Sequence, residues 1–273
     1  MSSLGYHLCI RLADGSAIAR DAPERRTLAE VVLDKGVKTD LHCFALPDTH
    51  LHMSALCDKV QPGELCRRVG ISLKRQLRTQ AGFQMYPPIP IQDQRHLEQL
   101  TRYILTQHQR HQVHADPFRE ATNLPDLLGL RAIGGEYTLA NLRRLLPRLS
   151  REHLLEWLGA PGLRPDLAPL APEGLWRSLA EAACRAACLP DLSGSGARAV
   201  AARRAVLEIA GGRLPKCKLG ELLGIAPRTV HWLGRQAPDP ALVRATMLQL
   251  ALGARLDGAL TQSRGALLNG AHT

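Results

Sequence analysis

The sequence predicts an α+β fold, with an antiparallel sheet carrying helices on one face, followed by an all-α C-terminal region. Three observations carry this reading. Runs with a period of two alternate with runs of helical period as far as His108. From about Pro147 onward the strand-like alternation disappears. The same later stretch is rich in Ala, Leu, Arg, Gly and Pro.

Each element has its own signal. Tyr6–Leu12 (YHLCIRL) alternates as a strand and ends at the Asp14-Gly15 turn. Thr27–Asp34 reads as a short helix with Thr27 as its cap and Glu30 at the capping-box position. Thr39–Leu46 and His50–Leu56 read as strands joined by a turn or bulge at Pro47-Asp48-Thr49. Gly63–Arg78 is a basic amphipathic helix. Tyr86–Ile91 (YPPIPI) must be extended, because proline disfavours helix in the residue before it. Gln94–His108 is a helix with Leu97, Leu100, Ile104 and Leu105 at helical spacing.

In the second half, Ala160–Gly174 is Pro/Gly-rich and reads as a loop or linker. Helical segments follow at Leu175–Cys188, Ala197–Ala210, Lys218–Leu223, Arg228–Arg235 and Pro240–Leu252, with a flexible link at Leu192–Gly196. These readings divide the chain into a first domain at 1–135, a helical linker region at 136–196, a helix-turn-helix-like region at 197–256, and a disordered tail at 257–273.

Composition narrows the function. A chain of 273 residues with 45% hydrophobic residues can bury a sizeable core. The net charge of +10 points to a polyanionic partner, of which nucleic acid is the usual one. Aromatics at 4% argue against a surface built from stacked aromatic platforms for single-stranded nucleic acid. The seven cysteines form no CxxC pair, which fits reduced thiols in a cytoplasm. No basic start followed by an apolar run opens the chain, and no stretch reaches the roughly 20 apolar residues of a membrane span.

Two constellations carry chemistry. In a strand, His50 and His52 share a face, with Leu51 pointing the other way. Two imidazoles side by side suit a divalent metal, although the same pair also describes two solvated histidines. On a continuous helix, Tyr103 and Gln107 also share a face. A phenol can act as a nucleophile, and an amide oxygen can ligate a metal; the plainer alternatives are a half-buried ring and an exposed amide. The basic residues Arg67, Arg68, Lys74, Arg75 and Arg78 follow the histidine strand. Arg102 and Arg110 border the tyrosine helix. Singly these are solvated charges, and as a group they can track a DNA backbone.

The stretch LHCFALPDTHLHMSAL resembles the central strand of the HUH endonucleases, and RYILTQ resembles the tyrosine helix of single-tyrosine transposases of insertion-sequence type. Tyr6-His7 with Arg11 fits the first strand of the same family. The order of motifs is most similar to the REP-associated tyrosine transposases, over roughly Gly5 to Leu130. One departure stands out. Where that family has Met-Pro-Asn before the first histidine, this chain has Leu46-Pro47-Asp48-Thr49.

The resemblance implies a ferredoxin-like palm and a cytoplasmic bacterial enzyme that cleaves and rejoins single-stranded or hairpin DNA. Tyr103 would be the nucleophile, and Mg²⁺ or Mn²⁺ would sit on His50, His52 and Gln107. Arg11, Lys74, Arg75, Arg78 and Arg102 would contact DNA. The product would be a 5′-phosphotyrosine and a 3′-hydroxyl. The resemblance leaves open whether the protein is a monomer or a homodimer.

The second constellation is Lys218–Gln236 (KLGELLGIAPRTVHWLGRQ), which has a helix-turn-helix rhythm. Gly224 makes the turn and Pro227 opens the second helix. Val230 and Leu233 face inward. Arg228, Thr229 and Arg235 are left for DNA, with His231 and Trp232 beside them. A plain helical hairpin is the alternative. From Arg198 onward this segment resembles the C-terminal DNA-binding domain of the bacterial replication initiator. Two other functional readings compete with the transposase. One is a domesticated DNA-binding regulator with a silent nuclease site. The other is a nickase of the same superfamily.

Overall fold

The computed structural model describes residues 3–36, 40–58, 61–110, 115–133, 144–164 and 172–269. Two compact units divide the chain. The first comprises Met1–Leu128 and Gly134–Leu158, and the second Gly129–Ile133 and Gly159–Thr273.

The first unit is built on β1 (Gly5–Leu12), β2 (Leu41–Ala45), β3 (His50–Ala55), β4 (Phe83–Met85) and β5 (Ile89–Ile91). The strand order is β2-β3-β1-β4, with β5 also pairing β1. Every pairing is antiparallel. β2 pairs β3, and β1 is the strand against which β3, β4 and β5 register. Its alternation sends Leu8, Ile10 and Leu12 to one face, joined by Leu51 and Met53 from β3, and all of them are buried.

Helices α1 (Ala22–Gly36) and α2 (Gln61–Gln76) pack on each other, α1 also on β2 and α2 on β1. Leu65, Val69 and Leu73 form the buried stripe of α2. Gly70 lets α2 approach β4 closely, since a Cβ there would lie 3.3 Å from the Phe83 ring. Helix α3 (Gln94–Leu105) lies on the histidine side of the sheet, where its Tyr103 ring meets His7 and His52. The α+β class and the helical C-terminal region are as expected, and α3 adds a helix on the second side of the sheet. The unit also contains the short helices α4 (Gln107–Arg110), α5 (Leu124–Leu128) and α6 (Arg151–Leu158).

In the first unit the bounds of α1, α2 and α3 all differ from the sequence reading, α2 running from Gln61 to Gln76 rather than from Gly63 to Arg78. α1 begins before Thr27 because Asp21 is the cap, its Oδ1 accepting from the Glu24 amide at 2.8 Å. Thr27 instead sits inside the helix and donates to the Pro23 carbonyl at 3.0 Å. The expected single helix at Gln94–His108 is broken at Thr106, whose backbone leaves the helical region and whose hydroxyl donates to the Arg102 carbonyl at 2.7 Å.

The second unit contains α7 (Pro172–Ala187), α8 (Ala197–Ala210), α9 (Lys216–Leu223), α10 (Pro227–Leu233) and α11 (Pro240–Asn269). Its core is rich in alanine: Ala182, Ala183 and Ala186 pack with Ala202, Ala205 and Val206, closed by Leu179, Leu223 and Leu242. Small side chains bring the helix backbones close, so a modest volume of apolar residues fills the interior. The stretch expected as a linker at 136–196 thus includes α7, which is built into this core. The link expected to be flexible at Leu192–Gly196 is held by buried Arg203, which donates to the Leu192 carbonyl at 2.9 Å and to that of Gly194. The tail expected to be disordered from 257 is helical through Asn269.

Candidate functional site

The site grows out of the register of β1 on β3. Cys9 faces His52 and Arg11 faces His50 across the ladder, so His7, Cys9 and Arg11 share a face with His50 and His52. The opposite face is the apolar one, and Leu51 is wholly buried in it. The sheet therefore sorts imidazoles to one side and core to the other.

His7 is the first member that sequence reasoning did not assign to the site. Its Nε2 lies 3.2 Å from His52 Nδ1, and the two rings stack with centroids 5.4 Å apart. Burial, and then the charge of His96, holds the His7 pKa below its usual value, so this imidazole is neutral at pH 7. Tyr103 meets both rings edge-on, at 5.8 Å from His52 and 6.2 Å from His7 between centroids. The Arg110 guanidinium sits 5.2 Å from the centre of the Tyr103 ring. A phenol, two imidazoles and a guanidinium therefore converge.

His50 lies beside this group, with its ring centroid 6.4 Å from that of His52. Its Nδ1 is 2.9 Å from Thr49 Oγ1, and its Nε2 is 3.2 Å from the hydroxyl of Tyr86. Thr49 thus orients the histidine it precedes. Tyr86 is the second member that sequence reasoning missed. It stands on the chain just beyond β4, and nothing in its local pattern announces that the sheet brings it to His50. The Arg11 guanidinium lies 5.4 Å from the Tyr86 ring centre, and its Nε is 3.4 Å from Gln84 Oε1. Cys9 sits among these groups as a thiol, because burial pushes its pKa up to about 11.

The break at Thr106 puts Gln107 at the start of α4, wholly buried, where its amide oxygen and nitrogen find no partner among the described residues. Of the three expected metal ligands, His50 and His52 are neighbours. His50 and His52 fit a pair of imidazole ligands on one strand face. Among the described residues no group of three or more His, Cys, Asp or Glu forms a fuller metal set.

The basic residues separate into two kinds. Arg67 and Arg68 both pair with Glu64, at 2.8 and 2.7 Å, and these bonds hold the Glu64 carboxyl at about 2. Lys74, Arg75 and Arg78 are exposed at the end of α2, and Arg102 is exposed on α3. In the second unit, Gly224 adopts the left-handed conformation at the turn between α9 and α10. Gly220 packs against that turn, where a Cβ would lie 2.7 Å from the Ile225 carbonyl oxygen. Val230 and Leu233 are buried, while Arg228, His231, Trp232 and Arg235 are exposed and Thr229 is half-buried. No helix among the described residues is long and apolar enough to cross a membrane. Comparison with protein-family models, with curated proteins and with solved structures yields no match.

Proposed function

We propose that the chain cleaves and rejoins single-stranded or hairpin DNA, with Tyr103 as the nucleophile. The observation that carries this reading is the convergence of Tyr103, His7, His52 and Arg110 on one face of the sheet. The Tyr103 oxygen attacks phosphorus and its proton passes to the neutral imidazole of His7 facing it. The bond from phosphorus to the 3′ oxygen breaks, and that oxygen takes the proton back from the imidazolium and leaves as a hydroxyl. The 5′ end stays on the tyrosine until another 3′-hydroxyl displaces it, so rejoining needs no further energy source.

His50 and His52 would hold a divalent ion, Mg²⁺ or Mn²⁺, which when bound supplies polarisation of the scissile phosphate. Lys74, Arg75, Arg78, Arg102 and Arg11 would track the strand's phosphates, and α10 would read duplex in a major groove.

The test is a denaturing gel of protein incubated with hairpins from the DNA flanking its own gene, with Mg²⁺ or Mn²⁺. A covalent protein–DNA band from the wild type, absent in Tyr103→Phe, is the expected result. A second reading, a DNA-binding regulator with a silent nuclease site, draws on the exposed basic face of α10. Hairpin binding with no adduct under any of these conditions would favour it.

A further inference from the structure

We infer that Tyr86, with Arg11 against its ring, is a stacking platform for one unpaired base beside the cleavage site. This inference rests on the DNA reading of that site. Tyr86 is 39% exposed, although its hydroxyl reaches His50 at 3.2 Å. Ile89, opposite His7 and so on the same face of the sheet, is 53% exposed. Aromatics are scarce in this chain, yet two of its four tyrosines flank the histidines. Burial does not explain an exposed ring here. An incoming flat apolar surface does.

The ring is also pre-set. The Tyr86 amide donates to the Cys9 carbonyl at 3.0 Å, which ties it to the central strand. Pro87 and Pro88 follow, and proline restricts the residue before it to extended backbone. A side chain already held in place loses little entropy on binding. The Arg11 guanidinium keeps its charge next to the ring, where it can meet the phosphate flanking a stacked base. Duplex DNA keeps its base faces covered, so such a ring selects an unpaired base. The hydroxyl bond to His50 sets the platform one side chain away from the histidine pair.

A plain structural role, in which Tyr86 only fixes the His50 ring, predicts different behaviour and can be separated from this one. The probe is a stem-loop with an oligothymidine flank holding one 2-aminopurine, read by anisotropy and by base fluorescence in EDTA with full-length protein. Tyr86→Phe keeps the ring and loses the hydroxyl, so it retains affinity and quenching. Tyr86→Ala weakens binding to the flanked stem-loop by roughly 5- to 100-fold and abolishes quenching, the range set by one base–aromatic stack. Its binding to blunt duplex is unchanged. The inference is overturned if Tyr86→Ala binds the flanked stem-loop like the wild type, or if Tyr86→Phe loses as much as Tyr86→Ala. It is also overturned if the wild type ignores the unpaired flank. If the Tyr86→Ala defect appears but no Tyr103 adduct ever forms, the platform stands and the cleavage reading fails.

Discussion

His42 shows how a single residue ties the stability of the sheet to pH. It is buried, and its Nε2 lies 2.9 Å from Thr101 Oγ1, which itself donates to the Leu97 carbonyl at 2.8 Å. The threonine hydrogen is therefore committed, so His42 donates from Nε2. Desolvation lowers its pKa to about 4. Unfolded, the same group titrates near 6.5, so between these values the unfolded chain binds more protons. The contribution is full above pH 6.5 and is lost as pH falls through about 4, amounting to on the order of 3 kcal/mol. Urea unfolding at a series of pH values should show this slope, and His42→Gln should flatten it. A second residue-scale test concerns Arg26 and Glu120, buried and 2.7 Å apart. Arg26→Met leaves a carboxylate without its charge partner in the interior and should destabilise by about 3–5 kcal/mol in denaturant unfolding, whereas Arg26→Met with Glu120→Leu should recover much of it.

At the scale of elements, α3 matters most because it carries Tyr103. Its N-terminus is capped by Asp93, whose Oδ1 accepts from the His96 amide at 2.8 Å. Asp93→Ala should cost about 1 kcal/mol and raise amide exchange in the first turn of α3, while Asp93→Ser should restore both. What the sequence revealed follows the range of the forces involved. β1 and β3 were legible because alternation is local and one face of each is core. The sharing of a face by His50 and His52 came from the same period of two. β4 was not legible, since Phe83–Met85 is three residues long and is a strand only by pairing with β1. The periodicity that found α3 also overran it. Leu97 to Leu105 keeps helical spacing, but the Thr106 hydroxyl bonds back to Arg102 and the axis breaks before Gln107. His7 and Tyr86 reach the site through strand register and through a turn far along the chain, neither of which a local pattern encodes. In the C-terminal unit the tight turn was legible from Gly224 and Pro227. The approach of Gly220 to that turn was not.

For the whole molecule, the net charge of +10 has to be apportioned between sequence-independent attraction and specific contact. Binding that neutralises phosphates releases counterions, so the logarithm of affinity falls with the logarithm of salt, by about 0.9 for each phosphate met on duplex DNA. If α10 enters a groove, Arg228 and Arg235 contribute two such contacts, since both are exposed and lie on the helix or just past its end. Arg228→Ala with Arg235→Ala should then weaken binding to blunt duplex and lower the magnitude of the salt slope by about 2. Neither residue lies in the first unit, where the tyrosine and histidines are. Adduct formation by Tyr103 on a flanked stem-loop at low salt should therefore survive the double substitution. Lys74→Ala with Arg75→Ala should do the converse, cutting adduct yield on the flanked stem-loop while leaving the duplex slope in place. An unchanged duplex slope in the α10 variant would mean that its arginines do not touch phosphate, and that the charge of the chain attracts DNA without that helix docking on it.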